Sequence, residues 1–317
     1  MIPKSGNRFS AKTVTRRQMS DSPILFDRTL LRTRLRRAAA LGPATFLLDR
    51  VAEDFADRLA PVLRQFAHAL DLATPTDAVR CALMPSGKIE RFISASSIAT
   101  PSAPTEWRVI ADAEALPFGD GTLDLVVSGL ALHTVNDLPG TLIQVRRALK
   151  PDGLLLAALI GGDTLTELRQ SFAAAEAEID GGVSPRVSPF ADVRDLGALL
   201  QRAGFALPVA DVDRLTVRYD SALALLQDLR RMGAGNILVE RRRVPLKRSV
   251  LLRMAEIYAD RFGDPDGRVR ATFDIVWLSG WAPHESQPKP LAPGSAKQRL
   301  ADALGTREIP TGEKPGG

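Results

Sequence analysis

The residues best equipped for chemistry are a few carboxylates and two of the histidines. His133 follows the apolar run Leu123-Asp-Leu-Val-Val-Ser128 and precedes Asn136-Asp137. An imidazole there with a near-neutral pKa acts as a general base, and its structural alternative is a packed loop histidine. Asp163 and Glu167 follow Gly161-Gly162, where the backbone admits a close ligand. Either carboxylate can grip a guanidinium through two parallel hydrogen bonds, while Asp163 also suits a helix N-cap. His284-Glu285-Ser286 comes after the last apolar run, placed to line or close a crevice. With His68, His133 and His284 as the only histidines, a histidine metal triad is not expected. The expectation is no metal, with an iron site of His133, His284 and one acid as the variant to test. No hydrolase nucleophile elbow or phosphate loop is present.

These residues need a scaffold, and strand-helix alternation supplies one. Helical spacing covers Ile24 to Arg37 and Ala44 to Leu70. Strands are expected at 68–72, 89–93, 107–111, 123–128 and 153–160, with helices at 78–84, 137–149 and 164–179 between or after them. Asp137 is the expected N-cap of its helix. Such alternation predicts an α/β Rossmann-like sheet of parallel strands with helices on both faces. Later come a helix at 193–203 stopped by Gly204, strands at 213–219 and 271–281, and helices at 221–232 and 246–262. The expected divisions are a basic flexible tail (1–22), a helical segment (23–64), the main domain (65–284) with helical insertions around 181–265, and a Pro-rich tail (285–317).

Charge and composition narrow the class. The 317 residues carry net charge +5, but residues 1–37 hold ten Lys or Arg against two Asp, so the remaining 280 sum to −3. Basicity therefore belongs to an N-terminal arm, and nucleic-acid binding is not expected. The arm suits a solvated tail, a transit segment, or contact with an acidic partner or membrane surface. A second basic cluster, Arg241-Arg-Arg243 with Lys247 and Arg248, is either a solvated face or a docking surface. The lone Cys81 excludes an internal disulfide framework and reads as a small buried side chain. No run is long enough to span a membrane, and a cytoplasmic location is expected, with the inner face of an energy-transducing membrane as its refinement.

Asp112-Ala-Glu-Ala-Leu-Pro-Phe118, Leu123 to His133, and Leu149-Lys-Pro-Asp-Gly153 resemble class I S-adenosylmethionine-dependent methyltransferases of the methyltransferase-11 type. More narrowly, Gly161 to Arg169, Gly182 to Phe190, Asp195 to Phe205 and Gly280 to Ser286 resemble the complex I assembly-factor branch of that fold. Malonyl-carrier-protein methyltransferases share the core motifs, and a non-catalytic binding protein of the same fold is the other alternative, motivated by Pro75, Asp77 and Ile93. The resemblance implies a late antiparallel strand and S-adenosylmethionine as cofactor. For the assembly-factor branch it also implies a protein substrate, an iron-sulfur subunit of complex I modified by arginine hydroxylation. It places His133, Asp163 and His284 as catalytic candidates, and Asp71, Ala73, Ser94, Asp112, Ala113 and Ser128 against the cofactor, with Asp112 accepting from the adenine amino group. The chain departs from the pattern where the family has its glycine loop, reading Ala73-Thr-Pro-Thr-Asp77. It also has Ile93, with Ser94 adjacent, where an acid holds the ribose. Two strained or overpacked loop positions predict a loss of about 10² to 10⁴ in cofactor affinity.

Overall fold

The structure, a computed structural model, describes residues 24–99, 107–287 and 305–306. The basic tail and most of the Pro-rich tail lie outside these residues. The elements run α1 (Arg28–Leu41), α2 (Phe46–Leu59), β1 (Phe66–Leu72), α3 (Ala78–Leu83), β2 (Ile89–Ser96), β3 (Trp107–Ile110), β4 (Leu123–Gly129), α4 (Leu138–Ala148), β5 (Leu149–Gly161), α5 (Thr166–Asp180), α6 (Val193–Arg202), β6 (Ala206–Tyr219), α7 (Ala222–Arg231), α8 (Arg248–Phe262) and β7 (Val269–Trp281). One sheet of order β3-β2-β1-β4-β5-β7-β6 contains all seven strands. β1 to β5 pair in parallel, and β7 runs antiparallel to both β5 and β6. This is the expected class I methyltransferase arrangement.

The central strands read as continuous apolar runs because helices cover both faces. Along β4, Leu125 and Val127 join a core with α2, α3, α5, α7 and α8, while Val126 points to the opposite core with α4 and α6. The chain leaves β1 for one side of the sheet and β4 begins the other, so strand order reverses between them. A crevice opens at their carboxyl ends, where ligands of open α/β sheets bind.

Several boundaries differ from expectation. The helical run from Ala44 stops at Leu59, ahead of Pro61, and the following apolar residues belong to β1. β2 continues to Ser96, three residues past its expected end. β6 begins at Ala206 rather than Asp213, and its half-exposed alternation and Pro208 hid the first half. Asp163 caps nothing, because α5 starts at Thr166 behind Leu165 in a left-handed conformation. Asp137 does cap α4, accepting from the Gly140 amide at 2.8 Å. Cys81 is exposed. No helix among the described residues is long and apolar enough to cross a membrane.

Candidate functional site

A cavity of about 680 Å³ occupies the crevice. Its floor is the turn after β1. Asp71, the penultimate residue of β1, is 3% exposed and accepts from the Thr74 hydroxyl. Burial pushes its carboxyl up to about 7, and the nearby Asp77 adds to the rise. Thr74 Oγ1 also accepts from the Gly129 amide at 2.9 Å, tying the turn to the end of β4. A side chain at Gly129 would meet Val79 at 3.0 Å and Leu48 at 3.1 Å, so only glycine closes this junction without displacement.

The turn keeps a glycine-like backbone without a glycine. Ala73 has φ 64°, and Leu130 after β4 (φ 51°) and Leu165 before α5 (φ 56°) are left-handed too. All three line the cavity. Left-handed non-glycine residues cost about 1–2 kcal/mol each, so the fold concentrates strain around this space. Asp77 is engaged by Arg108, whose Nη2 donates to both its oxygens at 2.7 Å.

The roof is the N-terminal segment. Asn136 Oδ1 accepts from the amides of Leu25 and Phe26 at 2.9 and 2.8 Å, and its Nδ2 donates to the Phe26 carbonyl. One turn apart on α1, Arg28 and Arg32 hold opposite oxygens of Asp112 at 2.6 and 2.7 Å. Burial raises the Asp112 carboxyl, but the Glu114 amide and the Arg28 guanidinium outweigh it and hold the group below the usual range. Arg28 Nη1 also reaches the Thr134 carbonyl at 2.9 Å.

The candidates named from sequence separate accordingly. Asp71, Ala73, Ser94, Ala113 and His133 share the cavity wall. Ser128 is fully buried and donates to the Leu72 carbonyl at 2.7 Å, a lock between strands rather than a ligand contact. Asp112 stands beside the wall with both oxygens occupied. His133 packs edge-on to Phe190, with Nδ1 lacking a hydrogen-bond partner. Burial lowers its pKa to about 4, so it is a neutral imidazole at pH 7 rather than the near-neutral base expected. Asp163 is outside the cavity, paired with Arg214 at 2.8 Å. Glu167 is held by the Thr272 hydroxyl at 2.5 Å and amide at 3.1 Å. His284 is at the other end of the sheet, because β7 runs antiparallel and its last residue, Trp281, pairs with Leu154 near the start of β5. There it contacts Ser286 Oγ at 2.7 Å. That separation rules out an iron site shared by His133 and His284, and no metal-binding cluster occurs among the described residues. Sequence reading missed Arg28, Arg34 and Arg230 on the cavity wall. The Arg28/Arg32 spacing of four on one helix face was the available signal, obscured by counting both as part of a basic arm.

The methyltransferase domain family matches residues 90–157. Over 288 residues the chain is 40% identical to the mitochondrial arginine-hydroxylase NDUFAF5 of Danio rerio, covering 88% of this chain and 89% of that protein. The human counterpart is 41% identical over 280 residues, covering 86% and 81%. The chain belongs to the NDUFAF5 arginine-hydroxylase family. Similarity to the malonyl-[acyl-carrier protein] O-methyltransferase of Laribacter hongkongensis, 40% over 215 residues, spans 68% of this chain and 67% of that protein. The solved YcgJ protein of Bacillus subtilis shares the fold, at 14% identity and a TM-score of 0.51, over 74% of this chain and 99% of its own.

For this NDUFAF5-family chain, the fold implies S-adenosylmethionine, and the donor set does not fit its usual grip. The acceptor expected for the adenine amino group is Asp112, consumed by Arg28 and Arg32. The wall contributed by the end of β2 presents Ser94, Ala95, Ser96 and Ser97, with no carboxylate for the ribose. Pro75 offers no amide to the loop. No chemical step is therefore routed through the methyl donor.

Proposed function

We propose that this chain is a complex I assembly factor that engages an arginine on an iron-sulfur subunit and directs its hydroxylation. Dioxygen is the external oxidant and acts with an external two-electron reductant, one oxygen atom entering the arginine and the other leaving as water. The observation that carries the reading is the carboxylate pair Asp71 and Asp77 in the wall of the strand-end cavity, in a chain related over most of its length to arginine hydroxylases. Asp77 is occupied by Arg108, which donates to both its oxygens, so Asp71 is the carboxylate of the pair left to meet an incoming guanidinium. Buried with a raised pKa, Asp71 can accept a hydrogen bond from an incoming guanidinium, whose charge favours the ionised carboxylate. Ala73, Ser94, Ala113 and His133 shape the space around them. The proposed location is cytoplasmic, beside the inner face of the membrane that carries complex I, with the basic tail available for contact there.

Deleting the gene should leave complex I incompletely assembled on native gels and the target arginine unmodified by mass spectrometry. Fully assembled, active complex I in the deletion strain would overturn the proposal. S-adenosylmethionine is proposed as a weak ligand of the same cavity. Calorimetry should show binding tightened about 10²-fold or more in a Pro75→Gly, Asp77→Gly variant, which relieves two unfavourable loop positions. Equal affinity in both proteins would remove the loop from the explanation.

The similarity to the Laribacter hongkongensis enzyme favours one second reading, methyl transfer to a malonyl-carrier protein. Rescue of a biotin-requiring strain by this chain would support it over the first.

A further inference from the structure

The charge of the cavity wall conflicts with a substrate that is only an arginine. Seven arginines line it among the described residues, against the two carboxylates Asp71 and Asp77. Four of the seven are engaged: Arg28 by Asp112, Arg108 by Asp77, Arg186 by Glu176, and Arg231 by the Gly42 carbonyl. Arg34, Arg37 and Arg230 have no acceptor among the described residues, and all three belong to the part of the wall made by α1 and α7. Arg34 is half-buried and its Nε is shielded from solvent without a partner. Its guanidinium packs over Gly235, where a Cβ would lie 1.8 Å from Nη1 and would push the flexible end of the arginine aside. Desolvation, with repulsion from Arg241 and Arg37, lowers the pKa of Arg34. A shielded cation without an acceptor is costly unless a ligand supplies one.

We propose that Arg34, Arg37 and Arg230 form a subsite for acidic residues flanking the target arginine, so that the protein substrate presents an arginine to Asp71 and carboxylates to the α1–α7 end. The inference rests on the arginine-directed reading above and adds a specificity rule to it. A lone arginine side chain meets unpaired positive charge at the α1–α7 end of the wall and is repelled there. An arginine with acidic neighbours is drawn in as a dipolar segment matching both ends of one cavity. The second basic cluster does not line the cavity. Arg241 is spent on Asp27, and Arg242 and Lys247 on Asp180.

The test uses the full chain and fluorescent peptides of equal length, each with one central arginine flanked by Asp, by Asn or by Lys. Anisotropy titration should give the Asp peptide about ten-fold tighter binding than the Asn peptide, the preference shrinking with added salt. An Arg34→Gln, Arg230→Gln variant should lose the preference, and Arg34→Glu, Arg230→Glu should reverse it toward the Lys peptide, which also shows that the variant is folded. Arg230→Gln alone, at an exposed position, should weaken the preference partially. Equal wild-type binding of the Asp and Asn peptides would overturn the subsite while leaving the arginine-directed reading standing. Binding of no peptide would count against both. Succinate saturating the wild type as tightly as the Asp peptide would assign the arginines to a free anion and overturn the peptide subsite.

Discussion

At the amino ends of the strands, Lys150 lies 2.9 Å from Asp124, which also accepts from the His68 amide at 3.0 Å. Lys88 donates to three consecutive-turn carbonyls, those of Leu59, Ala60 and Val62. At the carboxyl ends of the same strands, Asp71 is buried with a raised pKa, His133 Nδ1 has no partner, and three non-glycine residues are left-handed around a cavity. The amino end pairs its charges but keeps His68 Nδ1 buried without a hydrogen-bond partner. The carboxyl end gathers three of the five left-handed non-glycine residues among those described, the buried Asp71 carboxyl and the unpartnered His133 Nδ1 around one cavity. The gathering of strain and unmet polar groups around one cavity favours a ligand site there, because such features are costly unless a ligand or a reaction repays them.

The contrast breaks most visibly at Asp71. Its pKa is raised from 3.8 to about 7 in the fold, so the native state binds more protons than the unfolded chain across that window. Its stability contribution is therefore complete at pH 4 and falls as pH rises through 7. Asp71→Asn should add up to about 4 kcal/mol at pH 8 and almost nothing at pH 4, read from urea midpoints. No pH dependence of the difference would mean that Asp71 is not buried as described.

His133 has the opposite sign. Its pKa is lowered from 6.5 to about 4, so stability present above pH 6.5 declines as pH falls toward 4. The full decline is up to about 3 kcal/mol, and His133→Gln should remove it. In the wild type the two slopes oppose each other between pH 4 and 6.5. The Asp71→Asn protein should gain stability with pH in that range and the His133→Gln protein should lose it.

The amino end should respond differently. Asp124→Ala strands Lys150 and the His68 amide, at a cost of about 1–3 kcal/mol, with peptide affinity unchanged. A large drop in affinity would show that the two ends are coupled. The smallest effect is expected at the roof. Asn136→Ala should cost about 1 kcal/mol and accelerate hydrogen exchange at the Leu25 and Phe26 amides selectively.

The sheet was legible because apolar runs of strand length alternated with helical spacing from β1 to β5. β6 was only half legible, since a half-exposed edge strand with a proline carries a weak pattern. Asp71 and His133 were found because they lie at or just beyond strand ends, and the carboxyl ends of the strands form the crevice. His284 was misplaced because its position in space depends on the direction of β7, which spacing does not reveal. Arg28, Arg34 and Arg230 were missed because their role depends on α1 folding across the crevice and on α7 packing beside it, contacts between distant segments. The pKa of His133 depends on Phe190 and the surrounding apolar wall, equally remote in sequence.

The most direct measurement is mass spectrometry of the candidate iron-sulfur subunit from strains carrying the wild-type chain, an Asp71→Asn, Asp77→Asn variant, or no copy. The account predicts an arginine heavier by one oxygen atom in the first strain and unmodified arginine in the other two. An added methyl group on that subunit, or the same oxygen addition in all three strains, would contradict it.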